Sequence, residues 1–172
     1  GGQDPPLVRT VPLASLRRPP EQRPVGLVVN GHRVATGREL VAALRGDWDE
    51  IARYLGGDFD PQLVAWLRGL PEGLGALRAM QLEDSVGARW VRLQGALDPQ
   101  APLDYRGRGL DRQSLDATIG SARHWRPGAT GEEASAHDWL MQARYDRILR
   151  AAAAVREGAD ADRLARADQA LH

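Results

Sequence analysis

The chain has 172 residues, 42% of them hydrophobic, enough for a packed core and too many for a wholly disordered segment. Its 23 basic and 23 acidic residues cancel, which counts against a nucleic-acid binder that works through bulk charge. It has no cysteine, so disulfide scaffolds, thiolate metal sites and cysteine nucleophiles are excluded.

Every basic residue is Arg, with no Lys, a single Phe (Phe59) and a single Asn (Asn30). Such a pattern follows the codon usage of a G- and C-rich genome and is not read as function. No apolar run reaches the roughly 18 residues that span a bilayer, and no secretory signal is visible, so the cytoplasm is the expected compartment. The chain opens Gly1-Gly2 without Met and reads as a piece of a longer protein.

Residues 1–24 carry Pro5, Pro6, Pro12, Pro19, Pro20 and Pro24, which favour extended backbone, and are read as a Pro-rich linker. Val25 to Ala35 contains Asn30-Gly31 between β-branched runs, the signal for a small hairpin near residues 25–35. Thr36 and Glu39 then form a capping box. Behind it, Leu40, Leu44, Trp48, Ile51 and Leu55 share one helical face, with Gly46 able to split the stretch. Asp60-Pro61 opens a further helix carrying Leu63, Trp66 and Leu67.

Leu74 to Met80 is a weaker helix, and Val86, Trp90, Leu93 and Leu97 make a cleaner stripe. Residues 98–109 read as a loop. Leu110 to Ala122 is helical, with Asp111 as cap. Thr130 and Glu133 repeat the capping-box pattern before the longest helix, one side of which holds Trp139 or Leu140, Met141, Tyr145, Ile148, Ala152 and Val155. Asp160 to Leu171 forms the last helix. The fold class is therefore mainly α, a helical bundle or tandem helical units with one small β-hairpin.

Residues 31–70 and 107–140 echo one another: a Gly, a short polar spacer, a capped helix beginning with Leu, a Trp, then Trp-Leu. One reading is a duplication of roughly 75 residues, with helical units over 25–100 and 101–172; the other is a single domain over 25–172. Asp47-Trp48, Trp66-Leu67-Arg68, Leu97-Asp98-Pro99 and Tyr105-Arg106-Gly107 together resemble uncharacterised helical segments appended to large multi-domain bacterial proteins, kinase-like and chaperone-like ones among them. The resemblance covers roughly residues 31–140. It implies an accessory role and carries over no catalytic residue.

The chemistry-bearing residue types read as structural. Asp58-Phe59-Asp60 is a DxD without a nucleotide fold around it, and Asp60 serves as a helix cap. His124 and His137 lack the spacing of a metal pair and read as surface residues, so no metal, cofactor or catalytic residue is expected. Trp48, Trp66 and Trp90 lie on apolar faces and belong to the core. The expected function is a non-catalytic protein-interaction or scaffold module, docking a neighbouring domain or a protein partner through apolar helix faces. Trp125, Trp139 and Tyr145 are its candidate contacts. The alternative is a nucleic-acid or phosphate site built from Arg106, Arg108, Arg112, Arg123 and Arg126 beside Tyr105.

Overall fold

The computed structural model describes residues 26–172 and residue 2, so the Pro-rich stretch lies, Gly2 apart, outside the described residues. Strands β1 (Leu27–Val29) and β2 (His32–Val34) pair antiparallel, with Leu27 opposite Val34 and Val29 opposite His32. Asn30 and Gly31 sit at φ 50° and 78°, the left-handed pair that a two-residue hairpin turn requires. Leu27, Val29 and Val34 face the core while Val28 faces out. Tyr54 Oη donates to the Val28 carbonyl at 3.1 Å and ties the hairpin to the helices.

Helix α1 (Gly37–Leu44) starts at Thr36, whose Oγ1 accepts the Glu39 amide, while the Glu39 carboxylate reaches back to the Ala35 amide. Gly46, at φ 84°, separates it from α2 (Trp48–Leu55), which Asp47 caps. Helix α3 (Pro61–Arg68) is capped as its sequence predicts, Asp60 Oδ1 accepting the amides of Gln62 and Leu63. Helices α4 (Gly73–Gln81) and α5 (Val86–Leu97) complete the first half. The hairpin's inner residues, Leu40, Leu44, Ile51, Leu63, Leu67, Met80, Trp66 and Trp90 make its core. Burying an aromatic side chain as completely as Trp90 is worth about 2–3 kcal/mol.

Helix α5 is enclosed on most sides. Trp90, Leu93 and Leu97 enter the first core, and Ala88 and Val91 enter a second. Glycines allow that closeness: a Cβ at Gly95 would lie 2.5 Å from Val155, and one at Gly87 would lie 2.5 Å from the Tyr105 ring.

Residues 98–109 are more than a loop. Strands β3 (Asp104–Tyr105) and β4 (Arg108–Gly109) form a second hairpin, turning through Arg106 at φ 46° and Gly107 at φ 76°. The first turn position holds Arg where Asn, Asp or Gly is usual, so the hairpin signal is weak in the sequence. Helix α6 (Arg112–Ala122) follows, capped by Asp111. Each hairpin thus feeds a side-chain-capped helix whose cap lies two residues beyond the strand.

Helices α7 (Glu132–Tyr145), α8 (Ile148–Ala154) and α9 (Gly158–Leu171) close the chain. Two expectations are corrected here. The Thr130–Glu133 capping box does not form: Gly131, at φ 75°, is the cap residue and no side chain caps α7. The long helix is broken, because Arg147 adopts the left-handed conformation at φ 56°. The break lets Asp146 turn inward, its carbonyl accepting Ser85 Oγ at 2.9 Å and its carboxylate accepting Tyr105 Oη and Gln142 Nε2. The expected stripe therefore divides: Ile148 and Ala152 are buried, whereas Met141 is 44% and Tyr145 83% exposed. Leu103, Tyr105, Leu110, Leu115, Trp139 and Leu149 build the second core. No helix among the described residues is long and apolar enough to cross a membrane.

Candidate interaction surface

The structure scatters the residues singled out from the sequence. Trp139 faces inward with Ala136, Leu140 and Ala143, and its indole N–H donates to the Tyr105 carbonyl at 2.8 Å. It is a core residue and no part of a free surface, a correction that follows from the face α7 turns to the second core. Arg106 leaves the second hairpin turn and lies over the Trp48 ring, 4.4 Å from its centroid. Tyr105 packs edge-on to Trp48 at 5.5 Å, and the same guanidinium lies 5.8 Å from the Tyr105 centroid.

Arg108 is a clamp. Its guanidinium donates to both Glu132 oxygens, at 2.7 and 3.1 Å, and to Ser135 Oγ, joining β4 to α7. The hydrogen bond from Arg108 holds the Glu132 carboxyl below the usual carboxylate range. Arg112 pairs with Asp116 one turn along α6. Arg123 ends α6, about 16 Å from Arg112 at 1.5 Å rise per residue, and Arg126 lies in the turn beyond it. The five arginines of 106–126 therefore do not share one surface.

Arg123, Trp125 and Arg126 do come together, lining an open cleft of about 670 Å³ with His124, Pro127 and Glu133. The half-buried Trp125 stacks on His137 with ring centroids 3.9 Å apart and planes within 8°. The two histidines thus serve packing and surface. No cluster of three or more metal-ligating side chains occurs among the described residues.

Tyr145 lies in a different place, on the rim of a cleft of about 520 Å³ between the α4–α5 connection and the α7–α8 break. Leu82, just past α4, lines the same cleft and is 74% exposed. These two are the most exposed large hydrophobic side chains among the described residues. Arg92, Arg147 and Arg150 supply its positive charge, and Glu83, Asp84 and Asp146 its negative charge. Glu83 is committed to Arg92 at 2.7 Å, and Asp146 to Tyr105 and Gln142. Arg147, Arg150 and Asp84 make no ion pair among the described residues. Leu82, Arg147 and Arg150 were missed from the sequence. Their signal was the apolar residue left over at the end of α4 and the exposed spacing of Arg144, Arg147 and Arg150.

Buried polar groups elsewhere brace this arrangement. Gln94 exchanges two hydrogen bonds with the Asp104 backbone, donating to its carbonyl at 2.8 Å and accepting its amide at 3.1 Å. Burial pushes the Asp104 carboxyl above its ordinary range, opposed by Arg45 at 3.6 Å. Burial, reinforced by Asp146, likewise pushes the Tyr105 phenol above its ordinary range.

Compared with known proteins, the chain matches no family model, no curated protein and no solved structure.

Proposed function

We propose that this chain is a non-catalytic protein-interaction module, an accessory part of a larger protein, and that it docks its partner through exposed apolar side chains on helix ends. One observation carries the reading: Leu82 and Tyr145, 74% and 83% exposed, flank a single cleft instead of lying scattered over the surface. The carboxylates support it as well. Asp47, Asp60 and Asp111 are spent on helix caps, and Glu132 on a clamp, which suits a scaffold better than a reaction centre. The matching turn and cap in both hairpins favour a tandem origin for the two halves.

The test is site-specific photo-crosslinking in the cells that make the protein. A photoreactive residue placed at Leu82 or Tyr145 is expected to give discrete adducts, while the exposed polar positions Gln62 and Gln113 give none. Equal, diffuse labelling at all four positions would remove the reading.

The second reading, anion binding by the arginines of 106–126, keeps one observation in its favour: Arg123 and Arg126 flank Trp125 and make no ion pair among the described residues. Retention on heparin that falls with salt and is lost in Arg123→Glu would support it.

A further inference from the structure

We propose that the cleft between Leu82 and Tyr145 binds a short acidic peptide segment of a partner protein, one in which carboxylates flank an aliphatic or aromatic anchor. The inference rests on the interaction reading above and assigns it a site and a partner chemistry.

Three observations carry it. The rim is apolar where Leu82 and Tyr145 stand out, and a cleft of about 520 Å³ is large enough for a side chain and its flanking backbone. The lining carries three arginines and three carboxylates, but its exposed charge without an ion-pair partner is mostly positive. Glu83 is paired with Arg92, and the Asp146 carboxylate is buried and turned inward to the neutral Tyr105 hydroxyl and Gln142 amide, so the exposed Arg147 and Arg150 face only Asp84 at the surface, with Arg144 next to Tyr145 in the chain.

The third observation is the backbone of Arg147. It holds φ 56°, a conformation that costs a side-chain-bearing residue free energy and that Gly adopts freely. Its guanidinium makes no hydrogen bond or ion pair among the described residues, so the fold gains nothing visible from that side chain. A residue held in a costly backbone conformation, with its charge unpaired at the edge of a cleft, is a candidate ligand contact. Guanidinium forks match carboxylates in paired geometry, and the exposed aromatic and aliphatic rim matches an apolar anchor. A nucleic acid fits less well, because Leu82 offers it nothing and the phosphate backbone calls for a broader positive surface.

The experiment pans randomised dodecapeptides displayed on phage against the full 172-residue chain, then measures the enriched peptides by fluorescence anisotropy. Acidic residues around a Leu, Phe or Trp are expected to dominate the enriched pool. Arg147→Gly and Arg150→Glu should each weaken binding about tenfold or more, Tyr145→Ala similarly, and Arg123→Glu not at all. Arg147→Gly guards against misfolding as an explanation, since its melting temperature should hold or rise. An enriched pool without acidic residues, or binding indifferent to Arg147 and Arg150, would overturn the proposal. So would binding of a uridylate dodecamer that those two substitutions abolish while acidic peptides stay unbound. Crosslinks at other surface positions with none at Leu82 or Tyr145 would overturn this site and leave the interaction module standing; crosslinks nowhere would overturn both.

Discussion

Tyr105 Oη donates to Asp146 Oδ2 at 2.5 Å, joining the second hairpin to the break between α7 and α8 across 41 residues of chain. Both side chains are buried, and Trp139 donates to the Tyr105 carbonyl from the other side. A hydroxyl that partners a buried carboxylate is expensive to remove, because the carboxylate keeps its desolvation cost. Tyr105→Phe is expected to lose about 1–3 kcal/mol of stability, read by urea unfolding. An unchanged midpoint would mean that the bond does not hold the break in place.

The same phenol gives a pH dependence with a definite sign. Burial and Asp146 hold its folded value above the ordinary value of about 10, so the neutral form is favoured in the fold. Its stabilisation is full below that ordinary value and is lost as pH rises through the raised one. Unfolding free energy should therefore decline above about pH 10 in the wild type, and this component of the slope should be missing in Tyr105→Phe.

Asp104 works in the same direction at the acid end. Burial raises its folded value, so its contribution is present below the ordinary carboxylate value and is lost as pH rises above it. At neutral pH the charged form is a liability that Arg45, 3.6 Å away, offsets only in part. Asp104→Asn is expected to be more stable than wild type at pH 7, with the difference closing toward pH 3, as followed by thermal unfolding. Lower stability at pH 7 would show that the Arg45 pair outweighs burial.

Two helical glycines should respond oppositely to one methyl group. A Cβ at Gly75 in α4 meets nothing within 4 Å, so Gly75→Ala should stabilise by about 0.5–1 kcal/mol through helix propensity. At Gly87 the added Cβ would lie 2.5 Å from Tyr105 and 2.8 Å from Ile148, and Gly87→Ala should cost about 1–3 kcal/mol. Equal effects in denaturant unfolding would contradict the close approach of α5 to α8 and the second hairpin.

The contrast between those glycines shows what a sequence can and cannot reveal. Caps and turns were legible where side chains announce them: Asn30-Gly31, the Thr36–Glu39 box, and Asp60 and Asp111 before their helices. What failed was local chemistry overruled at a distance. Arg106 and Arg147 both take left-handed backbone without a Gly or Asn to signal it, one making a hairpin and the other breaking a helix. That break exposes Tyr145 and aims Asp146 at Tyr105, a pairing that no period in the sequence encodes. Tyr145 was legible as a contact residue only through its aromaticity. Its neighbours around the cleft, Leu82, Arg147 and Arg150, become a group only once the α4–α5 connection meets the α7–α8 break.

Arg106 offers a smaller check on the same point. Its guanidinium over Trp48 is worth about 0.5–1 kcal/mol at an exposed site, and Arg106→Ala should lose that much and shift the tryptophan fluorescence. Arg106→Gly should lose less, because it regains the backbone freedom that φ 46° denies to other residues. Equal losses in the two variants would mean that the turn carries no strain.

The most direct test of the cleft takes Arg147→Gly and follows stability and acidic-peptide binding on one sample. The unfolding free energy is expected to stay unchanged or rise by up to about 1 kcal/mol, as the left-handed position is relieved, together with loss of binding. A variant that is less stable and binds as tightly as wild type would contradict this expectation, because Arg147 would then serve the fold and not a partner.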